Sequence, residues 1–308
     1  MKVTVIKSTG SWYEAIDEHG QLYLCRLKGV LRLDETRDTN PVAVGDVVVL
    51  VKEDDDWMIS EVTERRNYIV RASPKHKGAR QIIAANLDQC LLIVTMANPR
   101  TSSGFIDRFL MTAEAYHVPT ILIFNKQDAL DPKSLKKQNE MAQTYSNIGY
   151  SVHFSSAIEK KGTAELLELL KGRTSLLAGH SGVGKSSLMN AIDPSLNLKT
   201  TEVSRITGKG MHTTTFAEMH FTSFGGRVID TPGVREFGIK DFLPEEISHY
   251  FVEMRALLPQ CKFNNCLHEN EPGCAVKEAF YDGRISEARY VSYINILEDY
   301  RANFKHWE

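Results

Sequence analysis

From Met1 to about Val62 the chain runs in short stretches that alternate apolar and polar residues, VTVI, YLCRL, VVVLV and WMISEV, punctuated by Gly10, Gly20, Gly29, Pro41 and Gly45. Alternation with a period of two puts every second side chain on one face, so this region predicts a small all-β unit of about five short strands. An OB-like barrel suits that strand number and length, although periodicity does not separate it from an SH3-like barrel. Beyond residue 85 the rhythm changes to continuous apolar runs: CLLIVTMA (90–97), TILIFN (120–125), SVHFSS (151–156), TSLLAG (174–179) and RVID (227–230). Helical stretches at 105–117, 132–147, 163–171 and 185–192 separate them. That succession is βαβ, which predicts a mostly parallel sheet covered on both faces, with ligands bound beyond the carboxyl ends of its strands. From about Lys240 the pattern is helical and contains Cys and His. The expected division is therefore an OB-like β-barrel over 1–66, an α/β domain over 67–238 and a small helical domain over 239–308.

Composition adds limits. At 308 residues, 42 % hydrophobic and 25 % charged, the chain is an ordinary globular protein and not a disordered or fibrous one. Its start, MKVTVIKSTGSWYEAIDEHG, lacks the continuous apolar run of a signal peptide, and no later stretch is apolar enough to span a membrane. Five cysteines make an odd count, and three of them, Cys261, Cys266 and Cys274, crowd near the C-terminus. That points to metal ligation in a reducing compartment, hence to a cytoplasmic protein, expected to act as a monomer. Cys25 and Cys90 lie in apolar strand patterns and read as core.

A net charge of −2 excludes a uniformly basic nucleic-acid binder. Residues 65–80, however, carry Arg65, Arg66, Arg71, Lys75, Lys77 and Arg80 with no acidic residue, so this segment reads as a basic linker, either solvated or in contact with a phosphate backbone. Trp12, Tyr13, Tyr23 and Trp57 are either barrel core or platforms on which bases stack.

The chemistry is concentrated in three segments of the α/β region. Gly179-His180-Ser181-Gly182-Val183-Gly184-Lys185-Ser186, with Ser187 next to it, fits G-x-x-x-x-G-K-[ST] between an apolar run and a helical pattern. Its glycines let backbone N–H groups turn inward around phosphates, Lys185 reaches the β and γ oxygens, and Ser186 ligates Mg²⁺. A phosphate loop does not choose a base. Asn125-Lys126-Gln127-Asp128 does, because the Asp128 carboxylate accepts from guanine N1–H and its 2-amino group together, and adenine would leave it unpaired. Ser155-Ser156-Ala157, one βα unit later, offers a backbone N–H to guanine O6.

Asp230-Thr231-Pro232-Gly233 ends the run RVID, where the Asp230 carboxylate can hold Mg²⁺ through water and the Gly233 N–H can meet the γ-phosphate. Between these lies Gly208-Lys209-Gly210-Met211-His212-Thr213-Thr214-Thr215. One of its threonines should complete the magnesium shell, with Thr214 as the candidate; the hydroxyls could instead cap a strand. The guanine-reading elements precede the phosphate loop, the reverse of most GTPases, which indicates a circular permutation. Its consequence is that the DTPG loop leads straight into the C-terminal domain. There Cys261-x₄-Cys266-x-His268-x₅-Cys274 presents four ligands, best matched by tetrahedral zinc with no open position, and so by one structural ion.

The barrel, the order NKQD, SSA, GHSGVGKS, GMHTTT, DTPG and the Cys/His pattern together resemble the RsgA (YjeQ/YloQ) family of GTPases over essentially the whole chain. The resemblance implies a protein that binds the small (30S) ribosomal subunit and its 16S rRNA late in assembly and hydrolyses GTP when the ribosome stimulates it. It also implies that His212 positions or activates the attacking water. The residue after the DTPG loop, a glutamine in Ras-like proteins, is Val234 here. One departure is Met211, which stands where the family has arginine in its glycine–arginine–histidine run, so any phosphate role of that arginine is missing. The rival readings are a signalling GTPase with protein targets and a P-loop kinase acting on a small molecule; the latter has no need of N-K-x-D.

Overall fold

The computed structural model describes residues 1–29, 40–72, 80–200, 217–230 and 242–304. Five strands, β1 (Lys2–Ser8), β2 (Tyr13–Ile16), β3 (Leu22–Leu27), β4 (Val47–Glu53) and β5 (Asp56–Val62), follow one another in the order β1-β2-β3-β5-β4, and β4 pairs back onto β1. That closure gives a five-stranded OB-like barrel, with β3–β5 the parallel pair. Val3, Val5, Tyr13, Ala15, Cys25, Val48, Leu50 and Ile59 fill its interior, the face that the alternation selects. Tyr23 and Trp57, edge to face with each other at 5.4 Å between centroids, pack against this core, while the Arg26 guanidinium lies 3.8 Å over the Trp12 ring.

The segment expected to be a basic linker is instead part of a hairpin, β6 (Tyr68–Ala72) with β7 (Arg80–Ala85). Four of its cations are committed internally, among them Arg80, whose Nη1 donates to the Tyr116 hydroxyl at 3.4 Å. Arg65 donates from Nε and Nη2 to the two oxygens of buried Asp46, both at 2.7 Å. Arg66 pairs with Asp88 at 2.7 Å, and Arg71 donates to Gln81. A charge count along the chain cannot see partners supplied from elsewhere in the fold, which is why the run looked free; Lys75 and Lys77 lie outside the described residues.

The α/β region contributes β8 (Gln89–Val94), β9 (Thr120–Phe124), β10 (Ser151–Phe154), β11 (Thr174–Ala178), β12 (Glu218–Phe221) and β13 (Arg227–Asp230) in the order β10-β9-β8-β11-β13-β12. All pair in parallel except β12. The chain therefore builds one half of the sheet, β8 to β10, before it lays down β11 at the centre. Helices α1 (Ser103–Ala115) and α2 (Pro132–Asn147) cover one face over Leu92, Phe109, Phe124 and Tyr145; α3 (Thr163–Leu170) and α4 (Lys185–Ile192) cover the other over Ile93, Leu166, Leu177 and Leu188. Burial on both sides is why β8 and β11 read as unbroken apolar runs. The sheet continues into the barrel, since β12 pairs with β1 at Glu218 and Lys7, whose side chains form an ion pair at 3.0 Å.

Helices α5 (Pro244–Ile247), α6 (Val252–Arg255), α7 (Ala275–Tyr281) and α8 (Glu287–Phe304) make the C-terminal unit. Its core of Ile247, Phe251, Met254, Val276, Tyr293, Ile296 and Leu297 also takes in Met111 of α1. A buried charge cluster seals that junction. Arg289 donates from Nε and Nη2 to Glu253 at 2.6 and 2.9 Å and from Nη1 to Asp107 Oδ1 at 2.7 Å, and the Tyr145 hydroxyl donates to the same oxygen at 2.7 Å. Removing one member would strand a buried charge, at a cost of about 3–5 kcal/mol.

Candidate nucleotide site and metal centre

The phosphate loop leaves β11 at the carboxyl edge of the sheet and enters α4. Two of its glycines are obligatory on geometry. Gly179 has φ +136°, and a Cβ there would stand 2.3 Å from the Ile93 carbonyl oxygen of β8. Gly184 has φ +92° and would put a Cβ 2.7 Å from Asn125 Nδ2. The loop thus lies tight against β8 and the guanine-reading segment, with the N-terminus of α4 behind it. The Lys185 ammonium donates to the carbonyls of Gly179 (3.0 Å) and His180 (3.2 Å). Burial lowers its pKa and the nearby Asp230 carboxylate opposes that shift, so the lysine sits where an added anion is electrostatically welcome. Asp230, buried at the end of β13, stands level with Leu177 of β11, one strand from the loop that carries Ser186. A hydroxyl and a carboxylate at adjacent strand ends are the hard oxygen donors that a phosphate-bound magnesium ion takes from protein.

Asn125-Lys126-Gln127-Asp128 follows β9 on the same edge. Asn125 is buried, donates to the Val183 carbonyl at 2.9 Å and accepts from the Ser155 hydroxyl at 3.0 Å. Lys126 takes a left-handed conformation, φ +64°, which carries its stem over the loop, and its ammonium donates to the carbonyls of Gly182 (2.7 Å) and Asn98 (2.5 Å). Burial lowers the pKa of Lys126 against the pull of Asp128. The Ser156 hydroxyl donates to Asp128 Oδ1 at 2.5 Å while accepting the Glu159 N–H at 3.0 Å, which fixes the carboxylate and leaves it exposed to the crevice. Half-buried Ala157 is next in the chain. Gln127 donates to Gln138 of α2 at 3.0 Å, and the His180 ring packs against Phe105 of α1 with 3.8 Å between centroids.

The structure therefore brings together Asn125 to Asp128, Ser156, Ala157, the loop Gly179 to Ser187, and Asp230. His212, Thr213, Thr214, Thr215, Gly233 and Val234 lie outside the described residues. Three contributors were missed by sequence reasoning: Asn98, which acts through a carbonyl that every residue type carries; Gln138, indistinguishable from a helix-surface glutamine; and Phe105, which fits the apolar period of α1.

In the C-terminal unit Cys261, Cys266, His268 and Cys274 place their donor atoms within 4.8 Å of one another. His268 turns Nδ1 to the sulfurs of Cys274 (3.3 Å) and Cys261 (3.7 Å). Ligands held tetrahedrally at about 2.3 Å stand about 3.8 Å apart, so this group could hold one metal ion. Burial pushes the Cys266 and Cys274 thiols up, and a divalent cation among them reverses that penalty by stabilising thiolate. The loop is organised from outside the ligands. The Glu271 carboxylate accepts the N–H groups of Leu267, Glu269 and Asn270, and the hydroxyls of Tyr293 and Tyr290 on α8 donate to the carbonyls of Leu267 and His268.

A phosphate loop on a central strand, guanine-reading elements from strands laid down before it, and a barrel and a Cys/His unit on either side define a circularly permuted GTPase. The family model described as RsgA GTPase matches residues 62–240, and that described as RsgA N-terminal domain matches 3–57. The chain is 49 % identical over 300 residues to the small ribosomal subunit biogenesis GTPase RsgA of Bacteroides fragilis strain YCH46, covering 97 % of each chain, and 50 % identical over 302 residues to that of Flavobacterium johnsoniae, covering 97 % of this chain and 93 % of the relative. It is similar to the crystal structure of YjeQ from Thermotoga maritima (TM-score 0.77, 36 % identity, 97 % and 98 % covered) and to that of YloQ, a circularly permuted GTPase (0.74, 31 %, 98 % and 95 %). The chain belongs to the RsgA GTPase family and is a GTP hydrolase.

Proposed function

We propose that this protein binds the small ribosomal subunit late in its maturation, contacts its 16S rRNA, and leaves or resets when it hydrolyses GTP to GDP and phosphate. The observation that carries the reading is the extent of the match: relatives bearing the name small ribosomal subunit biogenesis GTPase align over 97 % of the chain, through barrel, α/β unit and Cys/His unit alike. Such an activity belongs in the cytoplasm, in a monomer, and no helix among the described residues is long and apolar enough to cross a membrane.

In this reading Asp128 accepts from guanine N1–H and the 2-amino group, the Ala157 backbone meets O6, and Ser156 keeps the carboxylate in place. The phosphate loop wraps the β- and γ-phosphates, and Lys185 turns from its own loop carbonyls to their oxygens. Ser186, Thr214 and Asp230 would hold a magnesium ion, which would supply positive charge to the phosphate oxygens. His212 orients the attacking water, and Gly233 contacts the γ-phosphate. Loss of that phosphate releases the loop following Asp230, which is continuous with the C-terminal unit. Cys261, Cys266, His268 and Cys274 would hold one zinc ion, which three thiolates and an imidazole favour and which would staple a unit of short helices. The domain limits are 1–66, 67–238 and 239–308.

Co-sedimentation with isolated small subunits tests the reading: the chain should pellet with them in a non-hydrolysable GTP analogue and remain in the supernatant with GDP. Equal pelleting in both nucleotides would count against a GTP-controlled association.

A further inference from the structure

Helix α1 touches both the phosphate loop and the C-terminal unit, through residues that the sequence presents as ordinary crossover helix. Its first turn is fixed by Ser102, whose hydroxyl accepts the Phe105 N–H at 3.2 Å. Phe105 then lays its ring on His180, 3.8 Å between centroids with 33° between planes, and the His180 carbonyl is one of the two that hold Lys185. Asp107, two residues on, lies about 200° around the helix from Phe105 and so faces the opposite way. It is fully buried and takes Arg289 of α8 and Tyr145 of α2 on one oxygen. The next residue, Arg108, pairs with Asp299 of α8, Met111 enters the C-terminal core, and Glu114 pairs with Arg255 of α6 at 2.8 Å.

One face of the helix is therefore seated in the Cys/His unit along its whole length, and the opposite face of its first turn supports the phosphate loop. Arg289, 2 % exposed, holds Glu253 bidentately and Asp107 through Nη1, so α8 is tied to α1 by a buried charged bond. Close packing on all sides passes a shift of α8 on instead of absorbing it.

We propose that α1 couples the C-terminal unit to the phosphate loop, with Phe105 a positioning residue for the loop and Arg289 the anchor whose seating sets how tightly the loop holds nucleotide. The proposal rests on the reading that this loop binds GTP and GDP. Whatever engages the Cys/His unit would then alter nucleotide retention through α1, and by reciprocity bound nucleotide would alter the fit of that unit.

A double-mutant cycle tests it, read as the rate at which the full chain releases the fluorescent nucleotide mant-GDP, with a circular-dichroism melt on each variant. Arg289→Lys keeps the charge but loses the planar fork. It and Phe105→Leu should each speed release about fivefold or more, a typical scale for coupling between sites. The pair should be no faster than the faster single variant, since both act on one contact. Phe105→Tyr, which keeps the ring, should release at the unaltered rate. A merely structural role would give rates that multiply in the pair, and full multiplication, or unchanged release by a folded Arg289→Lys, overturns the proposal. If Arg289→Lys does not fold, Asp299→Lys at the exposed pair with Arg108 replaces it, with the same outcomes expected. Binding of mant-GDP by the unaltered chain tests the nucleotide reading by itself, so the two can fail separately.

Discussion

The Asn125 side-chain amide donates to the Val183 carbonyl at 2.9 Å, so the residue that opens the guanine-reading segment is bonded to the middle of a phosphate loop 58 positions later in the chain. Lys126 adds a second tie at Gly182. Base reading and phosphate binding are one rigid construction here. A permuted chain order leaves it intact because these contacts depend on which strands are neighbours, not on which is made first.

The base pocket gives the first prediction. Asp128→Asn should weaken GTP binding about ten- to hundredfold, the loss expected when charge-assisted bonds to guanine go, and should raise binding of xanthosine triphosphate, whose 2-oxo group suits the amide. Ser156→Ala should weaken GTP binding only severalfold with the base preference kept, because it loosens the carboxylate without changing its chemistry. Competition of GTP and xanthosine triphosphate for mant-GDP reads both; unchanged selectivity in Asp128→Asn would remove the base assignment.

His212→Ala should bind GTP normally and lose most of its stimulated turnover, about a hundredfold or more, the scale of a lost water-positioning or general-base group. Single-turnover hydrolysis measured beside nucleotide affinity separates the effects. Full stimulated turnover would return the catalytic role to another group.

The Cys/His unit should carry about one zinc per chain. Cys266→Ser, or a strong chelator, should remove it and lower the melting temperature, with protease cleavage appearing first between residues 258 and 275. Metal analysis after exhaustive dialysis, set beside the melt, decides the point; an unchanged melt in a metal-free chain would show that the ion does not hold this unit.

Acid stability should show one identifiable contribution. Burial tends to raise the pKa of Asp193, but bonds from the Ser195 hydroxyl and from the N–H groups of Ser223 and Ser195 outweigh it and hold the carboxyl below its ordinary 3.8. A depressed carboxyl stabilises the fold above the unfolded value and loses that stability as pH falls through the folded one. Asp193→Asn should therefore cost about 1–3 kcal/mol at neutral pH and a smaller difference as pH drops below 4, checked by urea unfolding at several pH values.

The predicted strands and helices of the α/β region were legible because each is an apolar run or a periodic stretch, several of them bounded by motifs; α2 runs Pro132–Asn147 and β13, short but closed by the DTPG motif, Arg227–Asp230, where the pattern put them. The hairpin β6–β7 was not, because Arg71 and Arg80 dilute its alternation, and their partners, Gln81 on the facing strand and Tyr116 at the end of α1, are set only by the tertiary fold. β12 lacks an apolar run or motif of its own and is placed by pairing with β13 and with β1 of the barrel, contacts invisible to local pattern. In the site, residues whose side-chain chemistry is the signal, such as Lys185, Asp128 and the Cys/His set, could be read directly. Ser156 as the donor that steadies Asp128, and Phe105 beneath His180, depend on tertiary placement.

The central claim is a GTPase switch that serves the small ribosomal subunit. GTP turnover by the purified chain, alone and with isolated small or large subunits, with ATP as the control nucleotide, tests it most directly. The account predicts slow turnover alone, a marked rise with the small subunit only, and none with ATP. Turnover that no ribosomal particle raises, or that large subunits raise equally, would contradict it.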